Sequence, residues 1–168
     1  MDAGRLREIQ APLKKRYKED PASALVTLRA RGHVLPSRIA CRVETGMSGV
    51  EAGLHPATGG EGTEACSGDM LLEALVACAG VTLKAVATAM GITLRDASVS
   101  AEGDVDFRGT LGVSKDAPVG FAAIRLTFAV DADATKEQID KLVELTERYC
   151  VVYQTLVKPP RVELRTTT

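Results

Sequence analysis

Tryptophan is absent from the 168 residues, and aromatic residues together make up 4%. Proteins that stack nucleic-acid bases need exposed rings, so this scarcity argues against a single-strand binding platform. An excess of one charge is lacking too. The 21 Lys and Arg residues face 22 Asp and Glu, a formal net charge of −1. No whole-molecule field therefore draws in nucleic acid or an anionic membrane surface. There is no Cys-x-x-Cys, and the two histidines, His33 and His55, have no ligand spacing, which argues against a structural zinc site. Four cysteines (Cys41, Cys66, Cys78 and Cys150) are too few for a disulfide-stapled scaffold. The Gly-rich stretch Ala57–Gly68 has neither the Lys-Ser/Thr of a P-loop nor the G-x-G-x-x-G order, so it reads as a plain loop.

Long hydrophobic runs are missing as well. The N-terminal stretch MDAGRLREIQAPLKKRYKED is charged throughout and does not read as a secretory signal. The most apolar segment surrounds Cys78, but Asp69, Glu73 and Lys84 interrupt it short of the ~18 residues expected of a membrane span. The expectation is a cytoplasmic protein with no membrane and no nucleic-acid partner. A hydrophobic fraction of 45% and a charged fraction of 26% suit an ordinary globular chain, long enough for one domain with a real core.

What is present reads as alternating strands and two main helices. Residues 3–18 form a basic amphipathic helix with Leu6, Ile9, Leu13 and Tyr17 near one face, weakened by Pro12. Asp20–Ser23 breaks it, so residues 1–22 read as an N-terminal helical arm and 23–168 as the main domain. Period-two alternation predicts strands over Ser23–Val34 and Ser37–Glu44, with Ile39, Cys41 and Val43 on the apolar side, and a third near Gly49–His55. A long helix follows, capped by Ser67 or Asp69 and stopped by Gly91. Helical spacing puts Leu71, Leu75, Cys78, Thr82, Ala85 and Ala89 on one stripe. Strands over Ala97–Phe107 and Phe121–Val130 flank a long Gly- and Pro-bearing loop. Thr135 and Gln138 form a capping box for a second helix, on which Ile139, Leu142, Val143 and Thr146 share a face that Cys150 continues. A short helix over VVYQTL and a final strand over Arg161–Arg165 complete the pattern.

Hairpin-linked strands with helices held apart from them give an α+β class, antiparallel sheets on long apolar helices. The first long helix is apolar around most of its circumference and wants more cover than one small chain supplies, which points to a homodimer.

The runs SGDMLLEALVACAGVTLKAVA, GITLRDASVSAEGDVDFRG and GFAAIRLTFAVDADATKEQIDKLVELTERYCVVYQTL resemble the OsmC/Ohr family of osmotically inducible and organic hydroperoxide resistance proteins. The similarity spans roughly Leu25 to Leu164. It implies an intertwined homodimer and a peroxidatic thiol at Cys78 that is resolved by Cys150. It also implies an organic hydroperoxide substrate, a dithiol or lipoylated reductant, and no metal, haem or other cofactor. The family's arginine falls nearest Arg31, or failing that Arg29. The family's glutamate position is occupied by Gly68, with Asp69 beside it and Glu61 and Glu64 as substitutes. Its usual proline after the second cysteine is Val151.

Burial raises a thiol pKa, and Cys78 is mid-helix, too far from the N-terminus to use the dipole, so the sequence predicts that a cation reaches it. A buried cysteine is also a common packing residue. The competing reading is therefore a non-catalytic dimer that binds an apolar small molecule at the subunit interface. Cys66 reads as a bystander, and His33 and His55 as loop polar residues.

Overall fold

The computed structural model describes residues 2–35, 40–44 and 49–167. They contain helices α1 (Ala3–Glu19), α2 (Ser67–Met90), α3 (Phe107–Thr110), α4 (Lys136–Tyr149) and α5 (Val151–Val157). The strands are β1 (Arg31–Val34), β2 (Ala40–Glu44), β3 (Gly49–Gly53), β4 (Ala65–Cys66), β5 (Leu94–Val105) and β6 (Phe121–Ala132). The class is α+β, as the pattern predicts.

The residues group into two compact units, each assembled from segments distant in sequence. One holds Met1–Arg7, Ala74–Ser100 and Thr127–Thr168; the other holds Glu8–Glu73 and Ala101–Leu126.

In the second unit β1, β2, β3 and β4 lie in that order in one sheet. The β1–β2 and β2–β3 pairs are antiparallel, and β3–β4 is parallel. Alternation along β2 holds: Cys41 and Val43 are half-buried, while Arg42 and Glu44 are exposed. The predicted Ser37 to Ile39 part of that strand lies outside the described residues. The strand predicted from Ser23 is corrected. Pro21–Ala24 is a 3-10 turn, pairing starts only at Arg31, and Leu25, Val26 and Leu28 stand 87%, 69% and 85% exposed. His33 is a strand residue, not a loop one, and meets the Glu44 carboxylate at 3.0 Å. The loop Ala57–Gly68 contains the end of a 3-10 turn, Pro56–Thr58, and the two residues of β4. Gly103 on β5 is required by close approach: a Cβ there would lie 2.3 Å from the Phe121 ring.

Strands β5 and β6 form a two-stranded sheet. Arg95 bonds Asp131 and Arg125 bonds Asp104 at 2.8 Å. Position rises along one strand as it falls along the other, as antiparallel pairing requires. The loop between them holds the short helix α3, capped by the Asp106 side chain.

The core of the first unit packs α2 and α4 against β5 and β6. Leu83, Ala87, Ile92 and Leu142 are its buried centre, with Val86, Met90, Val99, Phe128, Val130 and Ile139 around them. On α4 the predicted face is the packed one: Leu142 and Thr146 are buried, and Ile139 and Val143 half-buried. The Thr135–Gln138 capping box is present in both directions. On α2 the buried stripe is Leu75, Ala79, Leu83 and Ala87, which keeps only Leu75 of the predicted one. Cys78 and Thr82 flank it half-buried, and Leu71, Ala85 and Ala89 are exposed. Gly91 ends α2 with φ of +72°, a left-handed turn that a side chain would strain, while Ile92 donates back to the Ala87 carbonyl at 2.9 Å. Helix α2 begins at Ser67 itself, so Ser67 is its first residue and Asp69 lies in its first turn.

Two further expectations change. The final strand over Arg161–Arg165 does not form, and Val162 and Leu164 are 82% and 96% exposed. Helix α2, 24 residues with a mean hydropathy of 1.8 over its most apolar window, is long and apolar enough by length and composition to cross a membrane. Its charges sit near the ends of such a window and interrupt it less than a residue-by-residue reading suggests. Only 22% of that window is buried within this chain.

Candidate functional site

Helix α4 runs to Tyr149, and the chain turns at Cys150, which has extended backbone (φ −73°, ψ 110°), before α5 starts at Val151. The turn is short because Cys150 serves both helices. Its N–H donates to the Thr146 carbonyl at 2.9 Å, and its carbonyl accepts from the Gln154 N–H at 2.9 Å. The Cys150 side chain continues the buried face of α4 and is 1% exposed. Cys78 projects from the middle of α2 in the same unit, half-buried beside the packed stripe. Each thiol is among the groups that act on the other's proton affinity. Folding thus joins sulfurs that are remote along the chain.

Their environments differ. Burial pushes the Cys78 thiol up, but hydrogen bonds from the Val152 N–H, the Cys150 thiol, the Val151 N–H and the Thr82 hydroxyl outweigh it and hold Cys78 below its ordinary value. The Thr82 hydroxyl also donates to the Cys78 carbonyl at 2.8 Å. Burial pushes Cys150 up, and the hydrogen bond and charge of Cys78 add to that. The amides of Tyr153 and Val152 oppose the rise without reversing it. Of the two, Cys78 is therefore the one that gives up its proton more readily.

The groups that lower Cys78 among the described residues carry no charge. Two are backbone amides of another helix's first turn, where N–H groups lack intrahelical acceptors. The predicted VVYQTL helix was the available signal. What the sequence could not supply was that the start of this helix faces Cys78.

A groove of about 500 Å³ opens over this turn, lined by Arg148, Tyr149, Cys150, Val151, Gln154 and Lys158 among others. The Arg148 guanidinium lies over the Tyr149 ring, 5.6 Å from its centroid.

The other predicted site residues belong to the second unit. Arg31 opens β1, exposed, with Glu44 as its register partner. Asp69 is exposed in the first turn of α2. In that unit Cys66, Asp69, His55, Phe107 and Phe121 line a separate cleft of about 360 Å³, where His55 stacks on Phe107 at 4.9 Å and accepts the Ala57 N–H. Cys66 is half-buried there, and Cys41 is half-buried in the sheet.

A sequence model of OsmC-like proteins matches residues 60–165. No curated protein matches the chain in sequence. Several solved structures share its fold. An OsmC-like protein from Mycoplasma pneumoniae superposes with a TM-score of 0.66 at 15% identity, covering 80% of this chain and 89% of that one. An organic hydroperoxide resistance protein OsmC from Legionella pneumophila gives 0.62 at 18%, covering 80% and 91%. The organic hydroperoxide resistance protein OhrB of Bacillus subtilis gives 0.53 at 18%, covering 80% and 93%. At these identities the structures speak for the fold, and the sequence model, which spans more than half of the chain, speaks for descent: this chain belongs to the OsmC-like protein family.

Proposed function

We propose that this protein reduces organic hydroperoxides with Cys78 as the attacking thiolate and Cys150 as the resolving thiol. The observation that carries the reading is the contact between two sulfurs whose proton affinities are displaced in opposite directions, Cys78 down and Cys150 up. A nucleophile has to be ionised, and its partner has to hold a proton until it is needed. Organic hydroperoxide resistance proteins among the structural neighbours agree in fold with this reading.

The chemistry balances as follows. The Cys78 thiolate attacks the terminal oxygen of ROOH, the O–O bond breaks, and RO⁻ leaves and takes up a proton as the alcohol. Cys78 becomes a sulfenic acid, two electrons more oxidised. Cys150 gives up its proton and attacks the Cys78 sulfur, which expels hydroxide as water and forms the disulfide. A dithiol, free or lipoyl, then exchanges through a mixed disulfide, restores both thiols and leaves as its own cyclic disulfide. The chain requires no bound cofactor in this scheme. The family resemblance gives Arg31 as the cation that supports Cys78 and Asp69 as the carboxylate that holds it.

The working form in this reading is a homodimer in the cytoplasm; only 22% of the apolar window of α2 is buried within its own chain, and a second copy would cover more of it. The test is steady-state consumption of an alkyl hydroperoxide with a dithiol, followed by mass spectrometry. Expected are turnover, one Cys78–Cys150 disulfide per chain, and abolition by Cys78→Ser. Slow stoichiometric labelling without turnover, with melting raised by apolar ligands, would instead favour the non-catalytic binder.

A further inference from the structure

The junction of α4 and α5 carries an exchange of hydrogen bonds. In an uninterrupted helix the Glu147 carbonyl would accept from the Val151 N–H, four residues on. Here the chain is extended at Cys150, the Cys150 N–H still donates to Thr146, and the next helical bond runs from the Gln154 N–H to the Cys150 carbonyl. The Glu147 carbonyl is taken by the half-buried Gln154 side chain, whose Nε2 donates to it at 2.8 Å. The Val151 N–H has no α4 carbonyl as partner and is among the groups that act on the Cys78 sulfur. The Val151 side chain is 67% exposed, so what this residue contributes to the sulfur is its backbone.

We infer that Gln154 is a positioning residue for Cys78: by occupying the Glu147 carbonyl it holds the α4–α5 break open and leaves the Val151 amide for the sulfur. Two donors compete for one carbonyl. A last-turn carbonyl without an acceptor role filled elsewhere would draw Val151 back into the α4 ladder, because an unmade backbone bond is costly in a half-buried place. The Gln154 carboxamide reaches a carbonyl seven residues back because the chain has turned between them. The functional meaning of this device rests on the peroxidase reading; the hydrogen-bond exchange itself does not.

The experiment is the pH profile of Cys78 alkylation by iodoacetamide in the full chain, read peptide by peptide so that the other three cysteines do not interfere. Gln154→Met keeps the side-chain length and removes the donor; its profile is expected to move up by about one pH unit. Gln154→Lys restores a donor and is expected to return the profile to that of the parent. Val151→Pro removes the N–H itself at a first helical position, where proline is well tolerated, behind a residue already extended. It should give the same shift, and the double variant Gln154→Met/Val151→Pro no more than Val151→Pro alone. Circular dichroism checks that each variant is folded; should Gln154→Met fail to fold, the Gln154→Lys and Val151→Pro profiles decide. The inference is overturned if Gln154→Met keeps the parent profile, if Gln154→Lys shifts as far as Gln154→Met would, or if Val151→Pro leaves Cys78 unmoved. A shifted profile without peroxide turnover would sink the peroxidase reading and leave this one standing.

Discussion

Replacing Cys150 in two ways separates what its sulfur does for Cys78 from what it does for the disulfide. Cys150→Ala removes both the donor and the resolving thiol. Cys150→Ser removes only the second, since a hydroxyl still donates. The neighbouring thiol is one of four donors that together overcome burial at Cys78. A single modest hydrogen bond contributes about 1 kcal/mol, which at 1.36 kcal/mol per unit is roughly 0.7 of a pH unit. At a pH below the Cys78 midpoint the thiolate fraction should then fall about fivefold in the Ala variant. A more basic thiolate is a better nucleophile, and a Brønsted slope of about 0.4–0.5 returns about a factor of two. The net expectation is a two- to threefold slower first-turnover attack on peroxide, about the size set by these two factors, with the alkylation midpoint moved up. Cys150→Ser should keep both close to the parent. Neither variant should form the disulfide, and both should stop at the sulfenic acid, trappable with a dimedone probe. Stopped-flow peroxide loss and peptide-resolved alkylation against pH measure the two quantities. A parental midpoint in Cys150→Ala, or an equal shift in both variants, would refute the donor role of Cys150.

Two other outcomes follow from the same structure. Leu142 is fully buried at the centre of the α2–α4 packing, so Leu142→Ala should cost about 2–5 kcal/mol in urea unfolding; a loss well under 1 kcal/mol, by the same scale, would mean that this face is not the core. The second concerns stability against pH, each single variant being compared with Cys78→Ser/Cys150→Ser to cancel the histidines. Cys78 is held below its ordinary value, so the unfolded chain binds more protons between that lowered value and about 8.5, and the Cys150→Ser chain should gain stability as pH rises through this window. Cys150 is raised by burial before any effect of Cys78, so in Cys78→Ser the stability it contributes is present below about 8.5 and lost as pH rises toward its raised value. Slopes of the same sign in the two variants would contradict the opposite displacements.

The parts legible in the sequence are those decided within a few residues or by strong period contrast. The Thr135–Gln138 capping box is a local exchange of two hydrogen bonds, and it forms as written. Helix α4 has sharply divided faces, so Leu142, Thr146 and Cys150 could be placed inward from spacing alone. Helix α2 is apolar on most sides, so its period carries little contrast. Leu75, Ala79, Leu83 and Ala87 are its inner face only because of what packs there. Alternation over residues 25–30 and 161–165 says which side chains would share a face of a strand. It cannot say whether an edge stands beside them to pair with, and in this chain both stretches lie unpaired and exposed.

The sequence by itself determined the α+β class, the amphipathic α4, the cap that starts it, the glycine that stops α2, and the cysteine pair worth examining, through local propensity and family likeness. Tertiary structure alone decided that a second helix begins beside Cys78, so that its uncharged amides and a neighbouring thiol lower that cysteine. The reason is that an N–H group in the first turn of a helix is a donor at a fixed place, and which acceptor it meets depends on where a remote segment passes.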